Sequence, residues 1–430
     1  MSKALIALCA LLLLGGCGGD SGDGGSGGSL SGDVEFMVFG DPEEIQAYRE
    51  VIAAYENEQP DVKVKLIEAS DRDDLIARLS TSFAGGTPPD LFLLNYRFYA
   101  QFAARGVLDP IEERVDGSDI FQQEDFYEEA MDAFRFDGKL TCLPQNISSL
   151  VVYYNKDMFK EAGVPEPKAG WRWDNMVAAA KKLTKDSNGD GKAEVYGLGV
   201  EASLIRIAPF VWSNGGEIID DEKQPTHFTM DTPEAEEALE RFFQLRVVEK
   251  VVPGEEEVEA EDDETRFQNG RMAMVLSSRR ATPTFRTIQD FDWDVAALPQ
   301  HKEQAGMLHS DAYCLTKASD NKDAAWSFME YALGPDGAPI VAKSGRTVPS
   351  LKSVAESDAF LDPSAKPANS KVFLDTIPVI RQVPSISTWP EIEDAASPIL
   401  EEAFYKGEGV PAVVGELRTA TDSIFERAEG

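Results

Sequence analysis

The sequence has few of the residues that common catalytic and nucleic-acid sites need. It contains three histidines, His227, His301 and His309, and none of them stands at a metal-ligand spacing from another. The Gly-x-Ser-x-Gly pattern of the hydrolase nucleophile elbow does not occur outside the glycine-rich residues 18–33. Lysine and arginine number 41 against 76 aspartate and glutamate, a net charge of −35. This acidity argues against nucleic acid and anionic membrane surfaces as partners.

Long apolar runs are scarce too. The longest is the 11-residue run ALIALCALLLL at 4–14, which follows Lys3. It is too short to span a bilayer, which takes roughly 20 apolar residues. A cation followed by an apolar run of this length is typical of a secretory signal peptide. The sequence therefore predicts a protein that leaves the cytoplasm.

Cysteine is rare, with four residues, and Cys17 is the most informative of them. It ends the segment LGGC directly after the apolar run, which resembles a bacterial lipoprotein signal. That resemblance implies that residues 1–16 are a signal peptide and that Cys17 is lipidated. An ordinary signal peptide with an incidental cysteine is the alternative. Residues 17–33 are almost free of apolar side chains, so we expect a flexible linker between a lipid anchor at the outer face of the cell membrane and a folded domain.

Cys142 and Cys314 remain as the other cysteines of the exported chain. In an oxidising compartment they could form one disulfide, or they could be two small buried side chains. The spacing alone leaves both alternatives open.

The region after residue 33 alternates strand-like and helix-like segments. Strand patterns at 34–39, 62–66 and 90–94 are separated by segments with helical periodicity. The first of these helices is predicted to begin at Pro42, with Asp41 as its N-cap. Helices are also predicted at 173–183, 234–248, 324–332 and 412–428. This order predicts an α/β fold with parallel pairing in its first part. Ligands of such sheets bind beyond the carboxyl ends of the strands, a position that Asn95 and Arg97 occupy.

The order of several segments resembles that of the extracellular solute-binding proteins of bacterial ABC importers, in the sugar-binding group that includes maltose-binding protein. The segments are GTPPD at 86–90, VYYNKD at 152–157, WSNGG at 212–216, FQNGRMAM at 267–274 and WSFMEYAL at 326–333. The resemblance implies a two-lobe periplasmic-binding-protein-like fold with discontinuous lobes around a cleft. It assigns residues 34–144 and 310–336 to the first lobe, and 145–309 and 337–430 to the second. It also places Cys142 and Cys314 on first-lobe strands near the hinge, which favours a disulfide.

A sugar cleft needs polar groups for hydroxyls and aromatic faces for the C–H patches of the rings. Polar candidates at predicted strand ends and the hinge are Asn95, Arg97, Asn146, Ser278, Arg279 and Asp311. A salt bridge would explain Arg97 equally well, and a turn would explain Asn146. Trp212 and Trp389 are the aromatic candidates, and Trp389 resembles the sugar-stacking tryptophan of maltose-binding protein by its position in the final segment. For both tryptophans a core role is the alternative.

Two acidic segments invite a metal or partner interpretation. Asp186, Asn188 and Asp190, with glycine at the sixth position, match the opening of an EF-hand calcium loop, and Glu194 could contribute. Gly197 stands where the bidentate glutamate belongs, so a solvated turn is favoured over structural calcium. Residues 255–264 hold eight acids in ten positions, and we expect a solvated loop there.

The sequence therefore predicts a monomeric binding protein without a cofactor, which captures a small solute, favoured to be a carbohydrate. The resemblance adds the permease subunits of an ABC importer as partners. Glycerol phosphate or another polyol derivative is the alternative ligand, since arginines serve anions as readily as hydroxyls. A secreted carbohydrate-active hydrolase is the rival class, because carboxylates are too numerous for a catalytic pair to be excluded by counting.

Overall fold

The computed structural model describes residues 30–428. The predicted signal peptide, Cys17 and nearly all of the predicted linker lie outside these residues. The strands of the described chain are β1 (Gly32–Val38), β2 (Val62–Glu68), β3 (Leu91–Asn95), β4 (Arg135–Phe136), β5 (Lys139–Leu140), β6 (Cys142–Pro144), β7 (Val151–Asn155), β8 (Met274–Ser277), β9 (Trp293–Ala297), β10 (Gly306–Met307), β11 (Asp311–Leu315) and β12 (Ile380–Arg381).

The α-helices of residues 30–428 account for about half of the remaining described chain. They are α1 (Pro42–Glu58), α2 (Arg72–Gly85), α3 (Tyr96–Ala103), α4 (Glu112–Asp116), α5 (Glu128–Asp132), α6 (Lys156–Ala162), α7 (Trp173–Leu183), α8 (Leu204–Ser213), α9 (Pro233–Val247), α10 (Glu255–Ala260), α11 (Asp263–Gln268), α12 (Thr282–Arg286), α13 (Lys322–Leu333), α14 (Ala338–Lys343), α15 (Lys352–Ala355), α16 (Asp358–Leu361), α17 (Lys371–Asp375), α18 (Trp389–Lys406) and α19 (Val410–Phe425).

The first lobe is built on a five-stranded sheet in the order β2-β1-β3-β11-β6. β1 pairs in parallel with β2 and with β3, as the alternation of strands and helices predicts. β11 returns from far along the chain and pairs antiparallel with β3 and β6. In this pairing Cys314 faces Cys142, and a disulfide joins the two across a sequence separation of 172 residues.

The second lobe is built on a smaller antiparallel sheet in the order β8-β7-β9. Two chain segments cross between the lobes side by side, because the backbones of Ser148 and His309 exchange two hydrogen bonds of 2.9 Å. β10 continues one of these segments and pairs with β12. The described chain is thus a two-lobe α/β fold whose lobes are each assembled from separate stretches of sequence.

Local structure differs from the sequence prediction in three places. β1 begins at Gly32, so the last two residues of the predicted linker belong to the first sheet. Most of the acidic segment 255–264 is helical, in α10 and the start of α11, rather than an irregular loop. α14 lies in the range assigned to the second lobe, yet it packs against α1 and α13 of the first lobe. The chain after residue 336 therefore spreads over both lobes.

Within residues 30–428, none of the helices combines the length and apolar character that a bilayer crossing requires. The apolar residues instead form a buried core that extends through both sheets and the helices covering them.

Candidate ligand-binding cleft

A cavity of about 360 Å³, here called the central cavity, lies between the two lobes. Its first-lobe wall comes from the start of α1, the carboxyl end of β3, the start of β11 and the crossing segments. Its second-lobe wall comes from the segment before α8, from the turn after β8 and from α18. The side chains that matter most for its chemistry are Glu44, Arg72, Asn95, Arg97, Asn146, Glu201, Arg206, Ser278, Arg280, His309, Asp311, Arg346, Glu393 and Asp394.

Three predicted residues meet in this cavity around one carboxylate. Asn95 Nδ2 donates to Asp311 Oδ1 at 3.0 Å, and Asn146 Nδ2 donates to Asp311 Oδ2 at 3.2 Å. Asn146 Oδ1 also accepts the backbone N–H of Asp311 at 2.6 Å. The two amides come from neighbours of β11 in the sheet, so the register of the sheet brings them together. The Asp311 carboxylate is therefore held in a fixed orientation at the cavity wall.

Arg97 connects the first lobe to the second. Its Nη1 donates to Glu393 Oε2 at 2.5 Å, and the two side chains are only 12% and 10% exposed. Trp389 Nε1 donates to the other oxygen of the same carboxylate at 2.8 Å. Arg97 thus forms the salt bridge that the sequence left open as an alternative to ligand binding. Its partner, Glu393, was not predicted from the sequence.

A second buried ion pair lies on the first-lobe wall. Arg346 contacts both Glu44 and Asp41, and Tyr48 donates to Glu44 at 2.8 Å. Burial raises the pKa of the Glu44 carboxyl, and Arg346 offsets this only in part. Asp41 precedes α1 as expected, but its side chain binds Arg346 instead of capping the helix.

Ser278 and Arg279, the two polar residues predicted to bind ligand after β8, have different surroundings in the structure. Ser278 lines the central cavity, and its backbone carbonyl accepts the Tyr153 hydroxyl at 3.0 Å. Arg279 borders the cavity, but its guanidinium is 1% exposed and donates to the carbonyl of Gly345 and to the hydroxyl of Ser370. Burial lowers its pKa to about 9. Its charge is committed to the packing of the second lobe, and its neighbour Arg280 provides the cavity-facing guanidinium.

The two predicted tryptophans do not line the cavity. Trp212 is 2% exposed, and Arg381 covers its ring at 4.6 Å from the centroid. Trp389 is fully buried and packs near Phe425. Both rings lie on the buried sides of their helices. In this conformation both tryptophans are therefore core residues, which was the alternative to ligand contact. The aromatic residue on the central wall is Phe39.

The charges around the cavity are paired. Six arginines and five acidic residues line it among the described residues, and removing the buried Arg279 leaves five of each sign. Arg206 pairs with Glu201 and Arg280 with Glu264, in addition to the pairs of Arg97 and Arg346. Such pairs offer donors and acceptors side by side without a large net charge. Chemically, the wall suits a ligand with many hydroxyl groups.

Sequence reasoning missed several residues of this wall, including Glu201, Arg206, Arg280, Arg346 and Glu393. A signal existed for Glu201, which follows the apolar stretch 196–200 just as Asn95 follows the apolar residues 91–94. Arg280 differs from a predicted residue by one position. Arg346 and Glu393 lie in irregular chain or near a helix start, where no periodic pattern marks the cavity-facing side.

The loop at 186–194 binds its own backbone. Asp186 accepts the N–H groups of Gly189 and Gly191, Asn188 accepts that of Asp190, and Glu194 accepts that of Ser187. Among residues 30–428 no group of three or more histidine, cysteine, aspartate or glutamate side chains is placed to hold a metal ion. Calcium binding by Asp186, Asn188, Asp190 and Glu194 stays the less favoured alternative to the predicted solvated turn.

Comparison with known proteins gives relatives along most of the chain. The ABC substrate-binding protein Lmo0181 from Listeria monocytogenes, solved in complex with cycloalternan, superposes with a TM-score of 0.82 at 27% identity, covering 92% of this chain and 98% of that one. The maltooligosaccharide ABC transporter solute-binding lipoprotein of Streptococcus pneumoniae strain TIGR4 is 24% identical over 82% of this chain and 80% of its own length. The galactooligosaccharide-binding protein of Bacillus subtilis is 22% identical, covering 78% of this chain and 77% of its own length.

The family model that matches describes the bacterial extracellular solute-binding proteins, and it spans residues 40–339. This range includes the second sheet, the first sheet apart from β1, the crossing segments and most of the central wall. Sequence, fold and cavity therefore agree, and the chain belongs to the bacterial extracellular solute-binding protein family.

Proposed function

We propose that this protein is the extracytoplasmic binding component of an ABC importer, and that it captures a neutral oligosaccharide between its lobes and passes it unaltered to the permease. The observation that carries the proposal is the central cavity between the lobes, where arginines and acids are balanced in number and three of them pair across its wall, Arg97 with Glu393, Arg206 with Glu201 and Arg346 with Glu44. A charge-balanced wall gives hydroxyls charge-assisted bonds while offering no net attraction to an ion. The sugar-binding relatives support the same ligand class.

The proposal includes closure of the lobes. The contact between Arg97 and Glu393 bridges them, so a conformation with the lobes further apart would break it. A ligand that touches both walls would favour the closed form by its additional contacts there. In our proposal the lipid on Cys17 keeps the exported domain beside its permease.

A ligand screen tests this proposal. Thermal unfolding of the protein lacking residues 1–29 should shift upward with at least one member of a panel of gluco-, galacto- and manno-oligosaccharides, and isothermal titration should give one site per chain. Mass spectrometry should recover the compound unchanged. Binding of glycerol phosphate in preference to every sugar would show that the ligand is a polyol derivative and not an oligosaccharide. Chemical conversion of the bound sugar would show that the protein is a hydrolase and not a carrier.

A further inference from the structure

A second cavity of about 690 Å³, here called the outer cavity, lies beside the central cavity and is lined wholly by residues of the second lobe. It is bordered by α11, by the end of α18 and by the segment before α8. Five residues line both cavities, namely Glu201, Ser203, Arg206, Arg280 and Ser397. Each volume falls in the usual range of about 300–1,000 Å³ for small-molecule pockets. The two cavities are therefore adjacent, and these five residues form a wall that they share.

Glu201, Arg206 and His309 form a chain of hydrogen bonds at this shared wall. Arg206 Nε donates to Glu201 Oε2 at 3.2 Å, and Arg206 Nη1 lies 3.0 Å from His309 Nε2. His309 Nδ1 lies 3.1 Å from the carbonyl oxygen of Met307. A carbonyl only accepts, so Nδ1 carries the hydrogen, and Nε2 accepts from the guanidinium, which only donates. The geometry thus fixes the tautomer of His309 and the orientation of Arg206.

The charge states of this chain follow from its surroundings. Burial and the nearby guanidiniums of Arg206 and Arg97 hold the pKa of His309 well below its usual value, so the ring is neutral. Partial desolvation at the cleft wall alone would raise the pKa of the Glu201 carboxyl, but Arg206 and the Ser203 hydroxyl lower it, so the carboxylate is charged. The Glu201 side chain is 60% exposed, whereas that of Arg206 is 11% exposed. The exposed Glu201 carboxylate is therefore held by the buried guanidinium of Arg206, whose orientation is fixed.

The shared wall also carries unused hydrogen-bonding capacity. Neither bond of the chain uses Arg206 Nη2 or Glu201 Oε1. The backbone at Gly199 lies close to the start of α11 and to Met272, since a Cβ added at Gly199 would lie 2.8 Å from Asp263 Cβ and 2.3 Å from Met272 Sδ. A donor and an acceptor on a rigid support match two neighbouring hydroxyls of a sugar ring.

From this arrangement we infer that Glu201 and Arg206 anchor a sugar unit where the two cavities meet, that His309 positions Arg206 for this contact, and that the cleft selects ligands of two or more sugar units. The inference rests on the proposed function and deepens it. His309 lies on a segment that crosses between the lobes, so the anchor is attached to the part of the chain about which the lobes move.

Isothermal titration with sugars of increasing length tests the selection. The probes are glucose, maltose and maltotriose, galactose and its β-1,4-linked di- and trisaccharides, and the corresponding manno-sugars. In whichever series binds, the disaccharide or trisaccharide should bind at least tenfold more tightly than the monosaccharide. A monosaccharide that binds as tightly as the longer members would overturn the inference while leaving the proposed function intact. Absence of binding by every series to the wild-type protein would reject the proposed function and this inference together.

Substitutions at the junction test the anchor. Glu201→Gln and Arg206→Met each remove a charge-assisted contact, and we expect a loss of affinity of roughly ten- to a hundredfold for the binding trisaccharide. Glu222→Gln is the matched control, since its side chain is 67% exposed and pairs with Arg381 outside both cavities. Affinity within twofold of wild type for Glu201→Gln would overturn the anchor.

The positioning role of His309 has a separate readout. His309→Gln offers an oxygen that accepts from Arg206, whereas His309→Leu offers none. We expect the glutamine variant to retain most of the affinity and the leucine variant to lose it, with the unfolding temperature of each measured as a check on folding. Equal affinity of the two folded variants would contradict a role through Arg206. In the wild type, ¹⁵N chemical shifts should show the Nδ1–H tautomer, and the Nε2–H tautomer would overturn this part.

Discussion

Nη1 of Arg97 in α3 donates to Oε2 of Glu393 in α18 at 2.5 Å, and this contact joins the first lobe to the second beside the central cavity. Both side chains are nearly buried. Removing one partner of such a pair leaves the other charge buried without compensation, at a cost of about 3–5 kcal/mol. This cost applies only to the conformation in which the lobes are together.

Glu393→Gln and Arg97→Met should therefore each weaken ligand binding at least tenfold, because the closed form becomes less stable. The double variant should lose much less than the two single losses combined, since the second substitution removes the unpaired charge. Titration of the four proteins with the sugar that binds wild type checks this. Glu391→Gln is the control, because it lies on the same helix and pairs with Arg427 at the surface. Additive losses would contradict a direct coupling.

The disulfide between Cys142 and Cys314 should contribute to the stability of the first lobe. It joins adjacent strands while closing a sequence separation of 172 residues. Constraint of the unfolded chain predicts that the Cys142→Ala, Cys314→Ala double variant loses about 2–5 kcal/mol of unfolding free energy. Denaturant unfolding of both proteins measures this, with reductant added to the wild type as a second arm. Equal midpoints in all arms would show that the bond constrains little.

Asp263, which borders the outer cavity, should make stability depend on pH. Burial, together with the charges of Asp262 and Glu264, raises its pKa to about 7, although Arg266 lowers it in part. The unfolded carboxyl releases its proton near pH 3.8. Between pH 3.8 and about 7, the Asp263 carboxyl is ionised in the unfolded state but still protonated in the folded state. It therefore destabilises the folded state increasingly as the pH rises to about 7, and the effect is complete above that pH.

Asp263→Asn should therefore raise the unfolding temperature at pH 8 and leave it nearly unchanged at pH 4. The difference between variant and wild type is the quantity to measure, because the other carboxylates then cancel. Asp362→Asn is a suitable control, since Asp362 lies in an exposed turn with its pKa lowered by Ser364. A difference that is the same at both pH values would contradict the assignment.

Trp212→Phe should separate stability from binding. The ring is buried under Arg381 and does not line either cavity, so we expect a lower unfolding temperature with sugar affinity within about threefold of wild type. Thermal unfolding and titration on the same sample check both parts. A tenfold loss of affinity in a folded variant would restore the sugar-stacking interpretation.

The sequence predicted the regular elements better than the site. The helix at 173–183 and the parallel pairing of the first three strands follow from periodicity, and the structure confirms both. Asn95 and Asn146 are predicted because each comes at the end of a strand, and Asp311 because it lies near the predicted hinge. Their mutual hydrogen bonds depend on the register of β11, which arrives from a distant part of the chain.

The orientation of single side chains could not be predicted in the same way. The turn after β8 directs Arg279 into the lobe and Arg280 toward the cavity. The Arg279 guanidinium is held by Phe360 and Phe373 and by hydrogen bonds to Gly345 and Ser370, all distant in sequence. A tryptophan near a strand end or helix start has the same sequence signature whether it faces a ligand or the core. The chain from Glu201 through Arg206 to His309 joins residues about 100 positions apart, which only the tertiary fold brings together.

Small-angle X-ray scattering of the protein lacking residues 1–29 tests the proposed capture mechanism most directly. With a saturating concentration of the oligosaccharide that binds, the scattering curve should match the present structure, in which Arg97 reaches Glu393. Without it, the curve should fit a form with the lobes further apart and a larger radius of gyration. Identical curves in both conditions, with binding verified on the same sample, would contradict capture by closure of two lobes.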